Sequence, residues 1–362
     1  MNRISLVFII LLFTIACKNN SKVENIFHEN WGVAPKEGSF KMEDYIVWCG
    51  SVIRHDDGKY YMFASRWPKA LTMNAWVTSS EVVLASSETP EGPYQFERVV
   101  LPRRGEEYWD GLATHNPTVQ RHKGQYILFY TGIAHVVPPP LDAAPSSEDY
   151  QKAWNSKRIG VATAPSPWGP WTRMDRPIIE PRPGQWDAAI TSNPAAVIHD
   201  DGSVLLMYKS CPLLYPERRA GSMLYFGLAE ASAITGPYKR LNPDQPLHLD
   251  NILAEMEDPY IWHADGYYHL IAKAMDDLLV SHSNGFYAFS SDGLKWRLAN
   301  PPTAYDMNVI WSDGRAERLQ KRERPQVLIQ NGKPTHVFFA CRNEKDEIFN
   351  MVSPLNNNQG GF

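Results

Sequence analysis

The chain has 362 residues, with 36 Lys and Arg against 40 Asp and Glu and a formal charge of −4, so it carries no basic excess for holding nucleic acid. An apolar fraction of 43% supports a sizeable globular core, and the aromatic share of 12%, with 12 Trp and 17 Tyr, fits a β-rich interior or a surface on which sugar rings stack. Four cysteines without short metal-ligand spacing argue against a disulfide framework or a structural zinc, and neither metal nor cofactor is expected.

At the N-terminus, Arg3 precedes an apolar run over residues 6–13 that is too short to cross a bilayer and ends in Thr14-Ile15-Ala16-Cys17. Residues 1–16 resemble a bacterial lipoprotein signal, with Cys17 as the lipid-modified first residue of the mature chain. Residues 17–40 then form a lipid-anchored tether and lead-in, and 41–362 form the folded domain. The expected place is the cell envelope, on a membrane face.

From there one pattern recurs: a small polar start, often followed by Pro, then a β-prone run, a tight turn and a second β-prone run. It appears as Cys49-Gly50 with a turn at Asp57-Gly58, Asn116-Pro117 with Lys123-Gly124, and Asn193-Pro194 with Asp201-Gly202. Asp258-Pro259 with Asp265-Gly266 and Arg324-Pro325 with Asn331-Gly332 complete the set. Asp-Gly and Asn-Gly between β-prone runs mark hairpins, because both central turn positions need positive φ. A third β-prone run follows in four copies, and Gly-Pro-aromatic at Gly92-Pro93-Tyr94, Gly169-Pro170-Trp171 and Gly236-Pro237-Tyr238 leads to a fourth in three. Starts spaced by 67, 77, 65 and 66 residues describe five four-stranded blades, hence an all-β, five-bladed β-propeller; a β-sandwich is the alternative. The long interval holds a proline-rich insertion at 136–154, read as a rim element.

In a propeller the first strand of each blade lines the axis, and the second strand returns to the same face. The strand starts bring Trp48-Cys49, His115-Asn116, Ser192-Asn193, Glu257-Asp258 and Glu323-Arg324 together, and the returning ends bring Arg66, Lys209, Lys273 and Arg342. With Arg324 these cations predict an electropositive mouth for a carboxylate or sulfate. The alternative is that each cation pairs with a carboxylate such as Glu257 or Glu323 and stitches blades together. Trp109-Asp110 and Trp186-Asp187 read equally as sugar platforms or as inter-blade packing.

These blade starts resemble those of the five-bladed glycosidases of glycoside hydrolase family 43, which include β-xylosidases and α-L-arabinofuranosidases. The resemblance implies that Glu257, in Met256-Glu257-Asp258-Pro259-Tyr260-Ile261, is the general acid. The family's first-blade Asp base is replaced here by Cys49-Gly50, and Asn116 and Asn193 stand where later Asp-Pro starts are usual. Asp187, Asp258, Asp110 and Glu323 are the candidates for the missing carboxylate. Trp48, His115, Asn116, Asn193, Arg66, Lys209, Lys273, Arg324 and Arg342 are the expected substrate-binding residues.

The leading expectation is an exo-acting, xylosidase-like glycosidase that trims an acidic oligosaccharide, the partner being that oligosaccharide. The runner-up is elimination or dehydration at a uronate, using His115, Lys209, Lys273 and Tyr130. A third reading is a non-catalytic sugar-binding lipoprotein.

Overall fold

The computed structural model describes residues 23–137, 143–218 and 223–356, so the signal-like segment and Cys17 lie outside the described residues. Five antiparallel sheets follow one another in chain order. Blade 1 comprises Tyr45–Arg54, Tyr60–Pro68, Glu81–Ser87 and Gln95–Leu101; blade 2 comprises Ala113–His122, Gln125–Ile133, Arg158–Ala164 and Thr172–Arg173. Blade 3 has Ser192–Ile198, Val204–Ser210, Tyr225–Ala231 and Lys239–Arg240; blade 4 has Met256–Ala264, Tyr267–Ala274, Gly285–Ser290 and Arg297–Tyr305. Blade 5 has Lys321–Gln330, Lys333–Arg342 and Ile348–Pro354, preceded by a small hairpin of Asn308–Ile310 and Ala316–Arg318. The five-bladed propeller expected from the repeat is the observed architecture.

Blade 5 lacks a fourth strand of its own, and the N-terminal lead-in covers its edge. Trp31 bridges antiparallel to Leu355, Gly32 N–H donates to Pro354 O at 2.9 Å, and Asn356 N–H donates to Asn30 O at 2.6 Å. Phe27, fully buried, wedges against Trp262 and Tyr287 of blade 4, while Phe40 bridges to Tyr94 of blade 1. Residues 23–40 therefore belong to the folded body, which corrects their assignment to a tether and lead-in outside the domain. Burying these rings and covering an open sheet edge is the reason.

Each first strand breaks its ladder at the same place. The register shifts between Trp48 and Ser51, His115 and Thr118, Glu257 and Tyr260, and Glu323 and Gln326, with a matching break opposite Met207 and Lys209 in blade 3. At each break one residue is left-handed: Cys49 (φ 50°), Asn116 (51°), Asn193 (51°), Asp258 (61°) and Arg324 (54°). Proline follows in four blades because a bulge asks for no ladder N–H there. Gly50 stands in the fifth, where a Cβ would come within 2.7 Å of Asn350 Nδ2 and 2.8 Å of Met62 Sδ.

The bulges turn their side chains to the axis, where they join across blades. Cys49 Sγ lies 3.5 Å from Asn116 Oδ1, Asn116 Nδ2 donates to Asn193 Oδ1 at 3.1 Å, and Asn193 Nδ2 donates to Asp258 Oδ1 at 2.5 Å. Arg324 joins the series through its N–H to Asp258 Oδ2 at 3.1 Å, with its guanidinium 3.8 Å from Asp258 Oδ1. The backbone N–H groups freed by the bulges at Asn116 and Asn193 are taken up by Ser65 Oγ (3.0 Å) and Thr131 Oγ1 (3.1 Å) of the preceding blade.

Asn193→Ala should cost about 3 kcal/mol, from two buried hydrogen bonds at about 1 kcal/mol each and a left-handed backbone that alanine disfavours by about 1 kcal/mol. Asn193→Gly, which relaxes the backbone, should cost about 2 kcal/mol. Urea unfolding of both variants measures the difference.

Candidate active site

The residues one position before each axial bulge are Trp48, His115, Ser192, Glu257 and Glu323, and register places Ser65, Thr131, Lys209, Lys273 and Ala340 opposite them. Only Lys209 and Lys273 of the four expected cations hold equivalent positions. Arg66 sits one residue farther along its strand, opposite Val47, and a one-residue step turns a side chain to the other face of the sheet. There it stacks on Tyr45 (4.2 Å) and Phe96 (4.4 Å) and pairs with Glu81 at 2.8 Å. Arg342 sits two residues along, paired with Asp346 in its own turn at 2.5 Å. The sequence ring of four equivalent cations is thus corrected to two.

Lys209 and Lys273 each reach into the next blade. Lys209 Nζ pairs with Glu257 Oε1, and Lys273 Nζ pairs with Glu323 Oε1 at 2.5 Å, with Lys321 Nζ at 3.5 Å from the same oxygen. This is the blade-stitching arrangement. The glutamates remain partly exposed, at 21% and 12% of their side chains, and no hydrogen bond from a described residue reaches Oε2 of either. Burial opposes both charges, but Lys209 and Lys273 outweigh it for Glu257, and Lys273 and Lys321 for Glu323, so both carboxyls lie below their ordinary range. Burial, and then the charge of Glu257, push Asp258 up to about 6.

Three of the carboxylate candidates, Asp187, Asp110 and Asp258, leave the set. Asp187 is fully buried, its carboxylate taken by Arg182 (2.9 Å), Arg240 (2.7 Å) and the Tyr208 hydroxyl (3.0 Å). Its blade 2 counterpart Asp110 is likewise held by Arg104, Arg173 and Tyr130, which also removes Tyr130 from reach of a ligand. Trp109 packs against Gly132 and Gly160, where an added Cβ would come within 2.3 and 2.5 Å of its ring, so the Trp-Asp pairs serve packing. Asp258 is engaged in the axial ring, as are Asn116 and Asn193, each at most 7% exposed; Arg324 joins it through its backbone N–H and a 3.8 Å approach to Asp258, while its guanidinium nitrogens have no hydrogen-bond partner among the described residues. They pack the axis of the propeller. Trp48 is buried with Trp67 and Leu71 and supports blade 1.

His115 lies in the floor at 3% exposure, stacked on Trp76 with centroids 4.6 Å apart. Burial, then Arg324, Lys157 and Lys209, hold its imidazole well below the usual range, so it is neutral at pH 7. Ser80 Oγ donates to Thr114 O at 2.6 Å, so His115 Nδ1–H donates to Ser80 at 3.1 Å and leaves Nε2 as an acceptor.

The wall comes from connections between second and third strands. Blade 1 contributes Lys69–Leu71, Met73–Ala75 and Trp76–Ser79; blade 2 contributes the helix Ser147–Asn155, started by Ser146 Oγ accepting from Asp149 N–H at 3.1 Å. Of the insertion at 136–154, residues 147–154 are therefore helical, while residues 138–142 lie outside the described residues. Trp154, Tyr150, Trp76, Tyr215 and Cys211 pack together there, with two residues absent from the sequence-derived set, Lys157 and Arg218. Neither belongs to the repeat; both lie on insertions, where only the tertiary fold reveals their place.

No family model matches the sequence, and no curated protein matches it. Solved structures do. A complex of BT0996 with RGII superposes with a TM-score of 0.65 at 14% identity, over 91% of this protein and 93% of that one. The fold is that of five-bladed glycoside hydrolases. Zg3597, a family 117 glycoside hydrolase of the marine bacterium Zobellia galactanivorans, gives 0.59 at 17% identity over 90% of this protein and 89% of that one. CoXyl43, a family 43 β-xylosidase/α-arabinofuranosidase from a compost metagenome solved with xylotriose, gives 0.57 at 15% identity over 91% and 97%.

Lys273→Met should destabilise the protein by about 3 kcal/mol at pH 7, because it strands a mostly buried Glu323. Glu323 has a depressed pKa, so its contribution is present above the unfolded value and lost as pH falls through the folded one. The gap between variant and parent should therefore shrink below about pH 4, measured by denaturant unfolding at several pH values.

Proposed function

We propose that the protein is a glycosidase that removes a terminal sugar from an oligosaccharide, with Glu257 and Glu323 as its carboxylate pair. One observation carries this reading. Two partly exposed carboxylates stand one position before the axial bulges of neighbouring blades, each gripped by a lysine through Oε1 and, among the described residues, with no hydrogen bond at Oε2. Cleavage of a glycosidic bond needs one carboxylic acid for the leaving oxygen and one carboxylate for water or the anomeric carbon.

The unliganded site holds Glu257 ionised, which is the wrong form for an acid. Burial already opposes that charge, and a sugar seated over Glu257 removes its remaining water and raises its pKa toward the acid form. Glu323, with Lys273 and Lys321 on one oxygen, stays ionised and acts as base or nucleophile. His115 Nε2 accepts a sugar hydroxyl. Insertions of blades 1, 2 and 3 wall one side of the bowl, which supports action at a chain end. The family 43 resemblance at Met256-Glu257-Asp258-Pro259 and the shared propeller fold support the same chemistry.

Hydrolysis adds one water per cleavage, so mass spectrometry of oligosaccharide digests should show products heavier by water in total. Glu257→Gln should lower kcat by about 10²–10⁴-fold, measured at a temperature where the variant is still folded, because leaving Lys209 unpaired should also lower the melting temperature. An unsaturated product absorbing in the ultraviolet would instead assign a lyase, and unchanged substrates a binder.

The reading includes attachment to the cell envelope through Cys17, supported by the signal-like residues before it. Cys17→Ala should abolish incorporation of labelled fatty acid and release the protein from the membrane fraction.

A further inference from the structure

The wall of the bowl carries more positive charge than nearby carboxylates neutralise. Lys157, 2% exposed, has its Nζ 3.5 Å from the ring centroid of Trp154 and 5.4 Å from that of Trp76. Arg218, 3% exposed, lies over Trp154 at 4.5 Å and Tyr215 at 5.3 Å; its Nη1 donates to the Tyr215 hydroxyl at 3.0 Å, and its Nε has no partner among the described residues. Among the described residues no carboxylate comes within 4.0 Å of either cation. Lys209, the third cation of the group, is already committed to Glu257. Burial, then the charges of Lys209 and Arg218, press the Lys157 ammonium well below its ordinary pKa, and Glu257 and Cys211 relieve only part of this.

A buried cation is ordinarily matched by an anion, and aromatic faces replace only part of the lost hydration. The uncommitted Nε edge of Arg218 is planar and hydrogen-bond directed, which favours a carboxylate. Tyr150, partly exposed and within electrostatic reach of Glu257, Tyr215 and Arg218, connects this corner to the proposed acid.

We infer that Lys157 and Arg218 form a subsite for the carboxylate of a uronic-acid unit, seated in the blade 2 and blade 3 insertions beside Glu257. The inference rests on the glycosidase reading for the substrate's place in the bowl. It moves recognition of acidic sugars away from the strand-end cations, which hold Glu257 and Glu323, to two residues of the rim.

The test is equilibrium binding of the full mature chain to hydrolysis-resistant thio-linked disaccharides ending in galacturonate, glucuronate, mannuronate or guluronate, each beside its carboxyl-reduced counterpart. At least one acid should bind about tenfold or more tightly than its reduced form, the scale of a charge-assisted contact. Lys157→Met and Arg218→Met should each remove most of that preference while leaving the reduced ligand's affinity within about twofold, and Lys157→Arg should retain it. No preference for any acid in the intact chain, or a preference that survives both Met variants, overturns the inference. If the Met variants fail to fold, Lys157→Gln and Arg218→Gln carry the same comparison, with the same outcomes deciding. The two readings fail separately: hydrolysis of oligosaccharides without acid preference sinks the subsite and keeps the glycosidase, whereas acid preference without turnover does the reverse.

Discussion

The axial ring of Cys49, Asn116, Asn193, Asp258 and Arg324 is the constraint on which the rest depends. Five bulges each place one left-handed residue at the same depth, and the contacts among their side chains fix how blades meet. An asparagine at such a position tolerates positive φ and offers both a donor and an acceptor, so two successive asparagines relay the ring from a thiol to a carboxylate. The ring also determines what stands above it, since every residue of the site floor lies one position before a bulge.

That geometry separates two kinds of charge. Lys209 and Lys273 bind carboxylates of the next blade and hold Glu257 and Glu323 in place, a mostly buried arrangement whose attraction has to offset the burial of four charges. Arg104, Arg173, Arg182 and Arg240 do comparable work farther out, around Asp110 and Asp187. Lys157 and Arg218 belong to neither network, and they sit on the segments that vary most between blades.

The repeat is legible because it is written in turn chemistry and spacing: Asp-Gly hairpins and X-Pro bulges survive where side-chain identity drifts. The five axial residues follow directly from it. The cation ring does not, because an alignment by eye tolerates a shift of one or two residues and a strand does not; Arg66 shows the cost, its side chain lying on the opposite face from Lys209. Asp187 misleads for a related reason. Its motif repeats at Asp110, and repetition in two blades marks a packing device as readily as a site. Lys157 and Arg218 are invisible in the sequence because insertions carry no period, and nothing in their local sequence says which way the rim folds.

The ring also shuts the hole that a propeller would otherwise have through its centre. With Arg324 and its four companions nearly solvent-free, the axis is closed at their depth. A polymer could not be threaded out along a closed axis, so in a glycosidase of this shape a liberated sugar would leave on the side by which the substrate came. Each cut then requires the shortened polymer to back out before the next begins, so an enzyme of this shape would work by repeated encounters, one unit at a time, rather than by running along a strand.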